Sequence, residues 1–369
     1  MDPALSDYIF KERMDLMQRV PFSHAELEAS GIWPDPRPGT PGVPILNTPV
    51  TPRENFRAFL AGKRPLWMPS FAETCMFIPA LIPDNPARGF VREDTPYPGP
   101  YGGADWLGVN WVYDPATRSS MVRPGAPKVP DITQWERYLT FPDLDRLDWA
   151  GSAAANQSHR TDRRAVQTPV FTGLFERLIS LLDVSGALIA LVDPEEQGAV
   201  HRLFDRLCVF YDDLFAHLAR WYRIDYLWFH DDWGTQRAPF FSADTCREML
   251  LPYLRRVVES AHRHGFGFEM HSCGKIEPLL PVMIEAGVDM WGGQPLNDKA
   301  TLYREYGRDI KLGVDMAPLP PDAADAQRRE TVERFLERYP DNCYWAMDFS
   351  ADRRCYPFLY EASRRLYSR

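Results

Sequence analysis

The sequence predicts an α/β protein, namely a (β/α)8 TIM barrel with a proline-rich N-terminal arm and a long insertion after the first strand. Five strand-helix units follow one another between residues 225 and 367, and two further candidate strands lie at 65–71 and 166–171. Strands that alternate with helices have to pair in parallel, because each helix carries the chain back across the sheet. No glycine-rich phosphate-binding turn follows any strand, which disfavours a dinucleotide-binding sheet.

The first part of the chain lacks this alternation. The segment 31–52 is rich in proline, which cannot occupy the interior of a helix or a central strand, so residues 1–50 are predicted to form an arm outside a domain that spans 51–369. At the start of that domain, Thr51 is expected to cap a helix with Pro52 at its first position. Residues 79–130 are predicted to be an irregular insertion that forms a wall of the active site.

The second half of the chain is regular. Asp193 is predicted to cap a long helix with Pro194 at its first position, and apolar residues recur at helical spacing for six turns after it. The predicted strands that follow lie at 225–229, 266–270, 288–291, 310–314 and 343–347. The helices predicted to follow these strands lie at 242–264, 278–286, 298–306, 321–339 and 356–367.

Charge and composition exclude several classes of protein. The chain has 42 Lys and Arg residues against 51 Asp and Glu residues, a formal net charge of −9, whereas a nucleic-acid binder needs clustered cations. The most apolar stretch, 178–192, is interrupted by Asp183 and is too short to span a membrane, and the N-terminus shows no secretory signal. Six scattered cysteines indicate reduced thiols and a cytoplasmic location.

Polar residues follow five of the predicted strands. In a β/α barrel the reactive groups gather at the C-terminal ends of the strands. The residues at these positions are His230, Asp231, Asp232, Gln236, His271, Cys273, Gln294, Asp315 and Asp348. A single polar residue here would be an ordinary helix cap, but the coincidence at five strands predicts an active site. The predicted catalytic residues are Asp231, Asp232 and Gln294. The predicted substrate contacts are Trp67, Phe71, Trp233, Gln236, Trp291 and Asp315.

His271 and Cys273 are candidate metal ligands. Residues two apart in an extended chain project to the same side, and zinc favours nitrogen and sulfur ligands. The alternative is that His271 bonds a backbone carbonyl while Cys273 is merely buried. A catalytic zinc usually has three protein ligands, and Asp348 at the end of another strand is the first candidate for the third. Cys355 and then Cys343 rank below it, because Cys343 stands at the start of its strand.

Asp231 and Asp232 suggest a different chemistry. Adjacent carboxylates repel each other, which raises the pKa of one of them and allows it to act as a general acid or base near neutral pH. The alternative is that one carboxylate caps the following segment while the other is solvated.

Six stretches of the chain carry a family resemblance. They are TPRENFRAFLAGKRPLW (51–67), IPDNPARGF (82–90), GGADWLGVNWVY (102–113), FPDLDRLDW (141–149), HDDWGTQRAPFFSADTCREMLLPYLRR (230–256) and HSCGKIEPLLPVMIEAGVDMWGGQPLNDK (271–299). With them the chain resembles the uroporphyrinogen decarboxylase superfamily, specifically its branch of cobalamin-dependent methyltransferases. The resemblance spans most of residues 50–369 and implies a β/α barrel with its site at the C-terminal mouth.

The resemblance also implies a zinc site. Members of the methyltransferase branch hold zinc with a His-x-Cys pair, which His271 and Cys273 match, and with a distant cysteine. Where that cysteine is expected, this chain has Asp348-Phe349-Ser350. The decarboxylases bind the carboxylates of their porphyrinogen through a basic motif after the first strand. The corresponding stretch here, 65–77, contains no arginine, which disfavours a tetrapyrrole substrate.

Three functions are compatible with these patterns. The first is a methyltransferase that moves a methyl group between a small substrate, such as an aromatic or apolar methyl ether or a thiol, and a corrinoid (cobalamin) supplied by a partner protein, with zinc as Lewis acid. The second is a metal-independent decarboxylase in which Asp231 or Asp232 protonates a carbanion. The third is a non-catalytic protein that holds a corrinoid partner. A homodimer is left open.

Overall fold

The computed structural model describes residues 20–34, 41–320, 322–341, 344–347 and 353–368. The α-helices in these residues are α1 (Pro52–Leu60), α2 (Asp84–Arg88), α3 (Trp149–Ala155), α4 (Ser158–Thr161), α5 (Leu174–Leu182), α6 (Val184–Ala190), α7 (Pro194–Trp221), α8 (Ala243–Met249), α9 (Leu251–Arg263), α10 (Leu280–Glu285), α11 (Lys299–Tyr306), α12 (Asp325–Arg338) and α13 (Tyr356–Tyr367). The strands are β1 (Ala29–Trp33), β2 (Val43–Leu46), β3 (Thr74–Met76), β4 (Gly103–Ala104), β5 (Asn110–Asp114), β6 (Ser119–Val122), β7 (Ala165–Val170), β8 (Tyr226–His230), β9 (Gly267–His271), β10 (Met290–Trp291), β11 (Lys311–Asp315) and β12 (Tyr344–Met347).

The chain divides into two compact units. The smaller unit contains the described residues of 1–74, 163–165 and 298–369, and the larger unit contains 75–162 and 166–297. Among the described residues, no helix combines the length and the apolar character that a membrane span requires.

A parallel sheet with the order β10-β9-β8-β7-β3 forms the centre of the larger unit. Adjacent strands from β7 to β10 pair in parallel. Every residue of β7 is buried, and α9 packs against both β9 and the long helix α7. Helices of this kind cover the faces of parallel sheets and leave the strand ends open. The register pairs His230 with His271, so that two histidines end neighbouring strands side by side.

Most of the regular elements predicted from the sequence are confirmed. Thr51 and Glu54 form a capping box at the start of α1, and Asp193 caps α7, which has Pro194 in its first turn. The predicted helix at 242–264 is instead two helices, α8 and α9, that meet at Leu250. Pro252 lies in the first turn of α9, where its missing N–H removes a donor that a continuous helix would need.

The predicted strand at 65–71 is reduced to a single parallel bridge, between Ser70 and Ala346 of β12. Ala346 N donates to the Pro69 carbonyl at 2.9 Å, and side chains satisfy other backbone groups of this buried segment. Asn55 Oδ1 accepts from Leu66 N at 2.7 Å, and Ser363 Oγ accepts from Met68 N at 3.1 Å. Pro65 and Pro69 also lack the N–H groups that a ladder would use. The strand begins later, at Thr74.

The smaller unit has its own core. In it, β11 and β12 pair in parallel from Leu312 to Asp315, and β1 and β2 form an antiparallel pair. Residues of the predicted arm belong to this core: Val43, Leu46 and Val50 pack in one cluster with Trp67 and Tyr360. The structure therefore groups the described residues of 20–50 with later parts of the chain. Among the described residues, the larger unit contains five strands of the parallel sheet, with β3 at the edge, and the smaller unit contains two. This is a TIM-barrel-like α/β arrangement. Closure into a barrel of eight strands stays a prediction.

The insertion at 79–130 is more ordered than predicted, because it contains α2 and the antiparallel sheet β4-β5-β6. The buried guanidinium of Arg177 holds the insertion in place within the larger unit. The side chain of Arg177, 2% exposed on α5, donates to Asp105 Oδ2 at 2.6 Å and also to Asp84. Asp105 in addition accepts from Trp111 Nε1 at 2.9 Å. Burial raises the pKa of Asp84 to about 6, while Arg177 opposes the rise.

We expect Arg177→Met to lower the free energy of unfolding by about 3–5 kcal/mol, because it leaves two buried carboxylates without their cation. Denaturant titration followed by circular dichroism measures this change. The control is Arg202→Met, which removes an exposed pair with Glu136 and is expected to cost less than about 1 kcal/mol. Equal effects of the two substitutions would contradict the anchoring role of Arg177.

Candidate functional site

Three potential metal ligands converge at the ends of β8 and β9 in the larger unit. One ligand atom each of Asp232, His271 and Cys273 lies within 4.8 Å of the other two. Cys273 Sγ is 3.4 Å from His271 Nε2, and His271 Nε2 is 3.8 Å from Asp232 Oδ1. In a tetrahedral zinc site, ligand bonds of 2.0–2.3 Å place such atoms roughly 3.4–3.6 Å apart. The donor set therefore fits zinc. The Cys273–His271 spacing matches a tetrahedral site, and the His271–Asp232 spacing is a few tenths of an ångström longer than one.

The loop after β9 is held in place by its backbone. The N–H of Cys273 donates to Asp232 Oδ1 at 2.6 Å, which links the loops after β8 and β9. Gly274 adopts φ +96°, and a Cβ at this position would lie 2.5 Å from the carbonyl carbon of Gly234. Only glycine fits here, because both the conformation and the space exclude a side chain.

Gln294 completes this side of the site. Its Oε1 accepts from the N–H of Gly274 and from Nε2 of Gln236, both at 3.0 Å. A backbone N–H can only donate, so this contact fixes the amide orientation and leaves Nε2 of Gln294 as a donor. Asn297 supports the same loop, because it accepts from Ile276 N and donates to the carbonyl of Gly274.

Asp231 is a structural anchor beside the three candidate ligands. It is 0% exposed, and its two carboxylate oxygens accept from Glu176 N at 2.8 Å and from Trp233 Nε1 at 2.9 Å. Burial raises its pKa to about 7. Since the side chain is fully buried and both oxygens accept from donors of the chain, this carboxylate holds neighbouring segments together and has no surface open to a substrate.

Burial shapes the electrostatics of the candidate ligands. It lowers the pKa of His271 to about 4, although Glu176 opposes the shift, so the imidazole is neutral at pH 7 as a metal ligand requires. It raises the pKa of Cys273 to about 12, with Asp232 contributing to the rise. A bound cation reverses such a shift, because metal coordination deprotonates a thiol.

Aromatic rings border the site. The rings of His230 and His271 lie 4.3 Å apart, and Trp228 contacts both histidines edge-on at 4.1 and 5.1 Å. Phe171, at the end of β7, lies 4.8 Å from His230. Burial lowers the pKa of His230 well below its usual value, so it acts as a neutral ring. These side chains form an apolar wall next to the candidate ligands.

The remaining predicted site residues are fully buried or belong to the smaller unit. Trp67, Trp233 and Trp291 are each 0% exposed, so their indoles present no surface to a ligand. Trp67 instead donates to the Glu73 carboxylate in the smaller unit, where Phe71 also lies, partly buried. Amino-acid composition predicts that aromatic residues line a substrate pocket, but it does not show which tryptophans are instead buried in the core.

Asp315 ends β11 in the smaller unit, with its Oδ2 3.9 Å from Lys299 Nζ. Burial raises its pKa, and Lys299 opposes the rise. Cys355 is buried in the same unit. Asp348 and Cys343 lie outside the described residues.

Sequence reasoning missed two charged residues next to the site. Glu176 stands in the first turn of α5, directly after β7, and its carboxylate interacts electrostatically with Asp232 and His271. Arg88, at the end of α2, lies 3.6 Å from Glu176 through Nη2 and Oε1. The rule about strand ends would have pointed to Glu176 if it had been applied to the candidate strand at 166–171.

Comparisons with known proteins identify the fold but not a family. No protein-family model matches the sequence, and no curated protein matches it significantly. A solved methyltransferase from Methanosarcina mazei is similar in structure, with a TM-score of 0.59 and 14% identity over 85% of this chain and 98% of that chain. At this identity, the likeness shows a shared fold alone.

Two other solved structures match more weakly. An endo-β-1,4-xylanase from Gloeophyllum trabeum has a TM-score of 0.35 and 11% identity over 62% of this chain and 83% of that chain. A sugar phosphate isomerase/epimerase from Parabacteroides distasonis has a TM-score of 0.31 and 9% identity over 55% and 77%. Scores this low carry no argument about this protein.

We expect Gly274→Ala to destabilise the protein by about 1–3 kcal/mol through backbone strain alone, with the clash against Gly234 adding to this cost. Thermal or denaturant unfolding measures the change. Gly198→Ala is the matched control: Gly198 lies in α7, and a Cβ added there would meet nothing within 4 Å, so alanine should stabilise the helix by roughly 0.5–1 kcal/mol. A neutral effect of Gly274→Ala would refute the strained-loop description.

Proposed function

We propose that the protein is a zinc-assisted methyltransferase that moves a methyl group between a small substrate or thiol and a corrinoid carried by a partner protein. The observation that carries the proposal is the convergence of Asp232, His271 and Cys273 at two neighbouring strand ends. The fold shared with a methyltransferase supports it.

Asp232 is our candidate for the third ligand in the described part of the chain. Its Oδ1 already accepts from Cys273 N, and a carboxylate has further lone pairs for a metal. Asp348 stays a prediction from the sequence. Bound zinc supplies Lewis acidity, which polarises the oxygen of a methyl ether or lowers the pKa of an acceptor thiol.

The residues of the chain have separate roles in this proposal. His271 is neutral and therefore ready to coordinate, and the loop from Cys273 to Gly274 is fixed by Asp232 and Gln294. The donor Nε2 of Gln294 orients a polar atom of the substrate. Phe171 and Trp228 enclose an apolar or aromatic substrate body and keep water away from the reacting atoms.

The decarboxylase alternative receives less support. It needs a carboxylic acid that can reach the substrate, and Asp231 is 0% exposed, with both oxygens bonded to N–H donors of the chain. Asp232 remains available, but it contacts the loop that carries Cys273. Release of carbon dioxide from a carboxylated substrate, unaffected by a chelator, would favour the decarboxylase.

Purified protein is expected to contain about one equivalent of zinc, measured by elemental analysis. His271→Ala, Cys273→Ala and Asp232→Asn should each lose most of it, because each removes one of three ligands. The control Cys208→Ala removes a buried thiol on α7 and should retain the metal. Less than about a tenth of an equivalent in the native protein would reject the zinc site.

Methyl transfer is tested with free cobalamin in place of the partner-borne corrinoid. The protein is incubated with methylcobalamin and a small thiol, or with reduced cobalamin and an aryl methyl ether, and the cobalamin absorbance is followed. We expect His271→Ala to reduce the rate by at least about 100-fold, because it removes a metal ligand. An unchanged rate in His271→Ala would instead favour a metal-independent enzyme, and a native rate no higher than that of the protein-free reaction would favour a non-catalytic protein.

A further inference from the structure

Glu176 is held rigidly at the start of α5. Its N–H donates to Asp231 Oδ1 at 2.8 Å. The preceding turn leaves no freedom: Gly173 N donates to the His230 carbonyl at 2.6 Å, and a Cβ on Gly173 would lie 2.7 Å from that same oxygen. Thr172 adopts φ +66°, which is unfavourable for a β-branched residue, and its carbonyl accepts from the Tyr211 hydroxyl at 2.8 Å. Such strain persists only where the surrounding contacts enforce it.

Arg88 is held equally firmly beside Glu176. Its guanidinium stacks 4.6 Å from the ring of Trp111 and lies 5.7 Å from the ring of Phe171. It donates to Thr172 Oγ1 at 3.4 Å, and Nη2 lies 3.6 Å from Glu176 Oε1. A guanidinium held on aromatic faces keeps its charge in one place without losing hydrogen-bond donors.

The Glu176 carboxylate lies next to the candidate metal ligands, at the end of the neighbouring strand β7. Its side chain is 12% exposed, and Oε2 is buried with no hydrogen-bond partner within the described part of the chain. Glu176 lies in the first turn after β7, while Asp232 follows the paired strand β8, and Asp231 beside Asp232 accepts the Glu176 N–H. Arg88 lies over the ring of Phe171, which contacts His230, and the His230 ring lies against that of His271. The pair thus places one negative and one positive charge next to three ligands without ligating the metal itself.

We propose that the Arg88–Glu176 pair sets the charge of the metal site, so that Glu176 strengthens and Arg88 weakens the binding of a divalent cation. This inference rests on the proposed function. Ionised Asp232 and Cys273 supply two negative charges around the neutral His271, which balances a dication. Glu176 and Arg88 cancel each other, so removing either one leaves a net charge beside the ion in a poorly solvated site.

The test is the affinity of the full-length, metal-free protein for Co²⁺ and Zn²⁺, measured by competition with a chelator and by the visible absorption of bound Co²⁺. Glu176→Gln is expected to weaken binding about 10- to 100-fold, which is the usual size of effects from outer residues. Arg88→Met is expected to tighten binding about tenfold, and the double variant should return close to the native affinity. Arg88→Lys keeps the charge and should bind as the native protein does.

Two matched controls separate charge from general disruption. Glu195→Gln changes an exposed glutamate in the first turn of α7, and Arg206→Met removes a guanidinium stacked 4.2 Å from Phe141. Both should leave metal affinity unchanged, and circular dichroism checks that every variant is folded. Glu176→Gln and Arg88→Met are expected to change the metal affinity in opposite directions, whereas misfolding would weaken binding in both.

The outcomes distinguish this inference from the proposed function. A native protein that binds no divalent cation overturns both. A native protein that binds the cation tightly, with Glu176→Gln and Arg88→Met binding equally well, overturns the charge-setting role alone and leaves the metal site in place. Weaker binding in both variants also overturns it.

Discussion

The candidate site depends on one buried carboxylate, that of Asp231. It accepts from the N–H of Glu176 at the start of α5 and from the indole of Trp233 in the loop after β8, while its own N–H donates to the carbonyl of His271. One residue thus connects the ends of three consecutive parallel strands, β7, β8 and β9. Burying a carboxylate is costly unless donors compensate, and here the donors are the segments that the site needs to keep in register.

A second buried charge extends this framework into the insertion. Arg177 on α5 binds Asp84 and Asp105, and Asp84 begins the short helix α2 whose last residue is Arg88. The anchor and the residue that faces Glu176 therefore lie four positions apart on the same helix, one turn from each other. Fixing Asp84 also fixes the direction from which Arg88 approaches the site. The insertion is thereby part of the site's support and not merely a cover over it.

The rule that reactive groups follow the strands of a β/α barrel predicted a large part of the candidate site. It brought together Asp232, His271, Cys273 and Gln294 from the sequence alone, because strand ends can be recognised from hydrophobic pattern. It gave Asp232 a catalytic role and sought the third ligand on a distant strand, since spacing along the chain does not reveal which neighbouring loops are joined by a backbone hydrogen bond such as that between Cys273 and Asp232.

Other features could not be predicted for different physical reasons. The segment 65–71 has the composition of a strand, but partners that lie far away in sequence, such as Ser363, decide how its backbone is satisfied. Trp67 and Trp233 are aromatic residues of the kind that line binding sites, yet packing buries them completely. Arg88 lies in an insertion whose fold depends on a buried ion pair, and no local pattern indicates the partner of a buried charge.

The placement of the three candidate ligands has a consequence for how the protein matures. Asp232, His271 and Cys273 all follow two adjacent, directly paired strands of the larger unit, and two of them are separated by a single residue. Pairing of β8 and β9 already brings these ligands together, so little further loop-closure entropy would be lost when they bind an ion. For the proposed zinc site, the three candidate ligands therefore lie within residues 232–273, so ion binding would not have to wait for synthesis of the C-terminal segment.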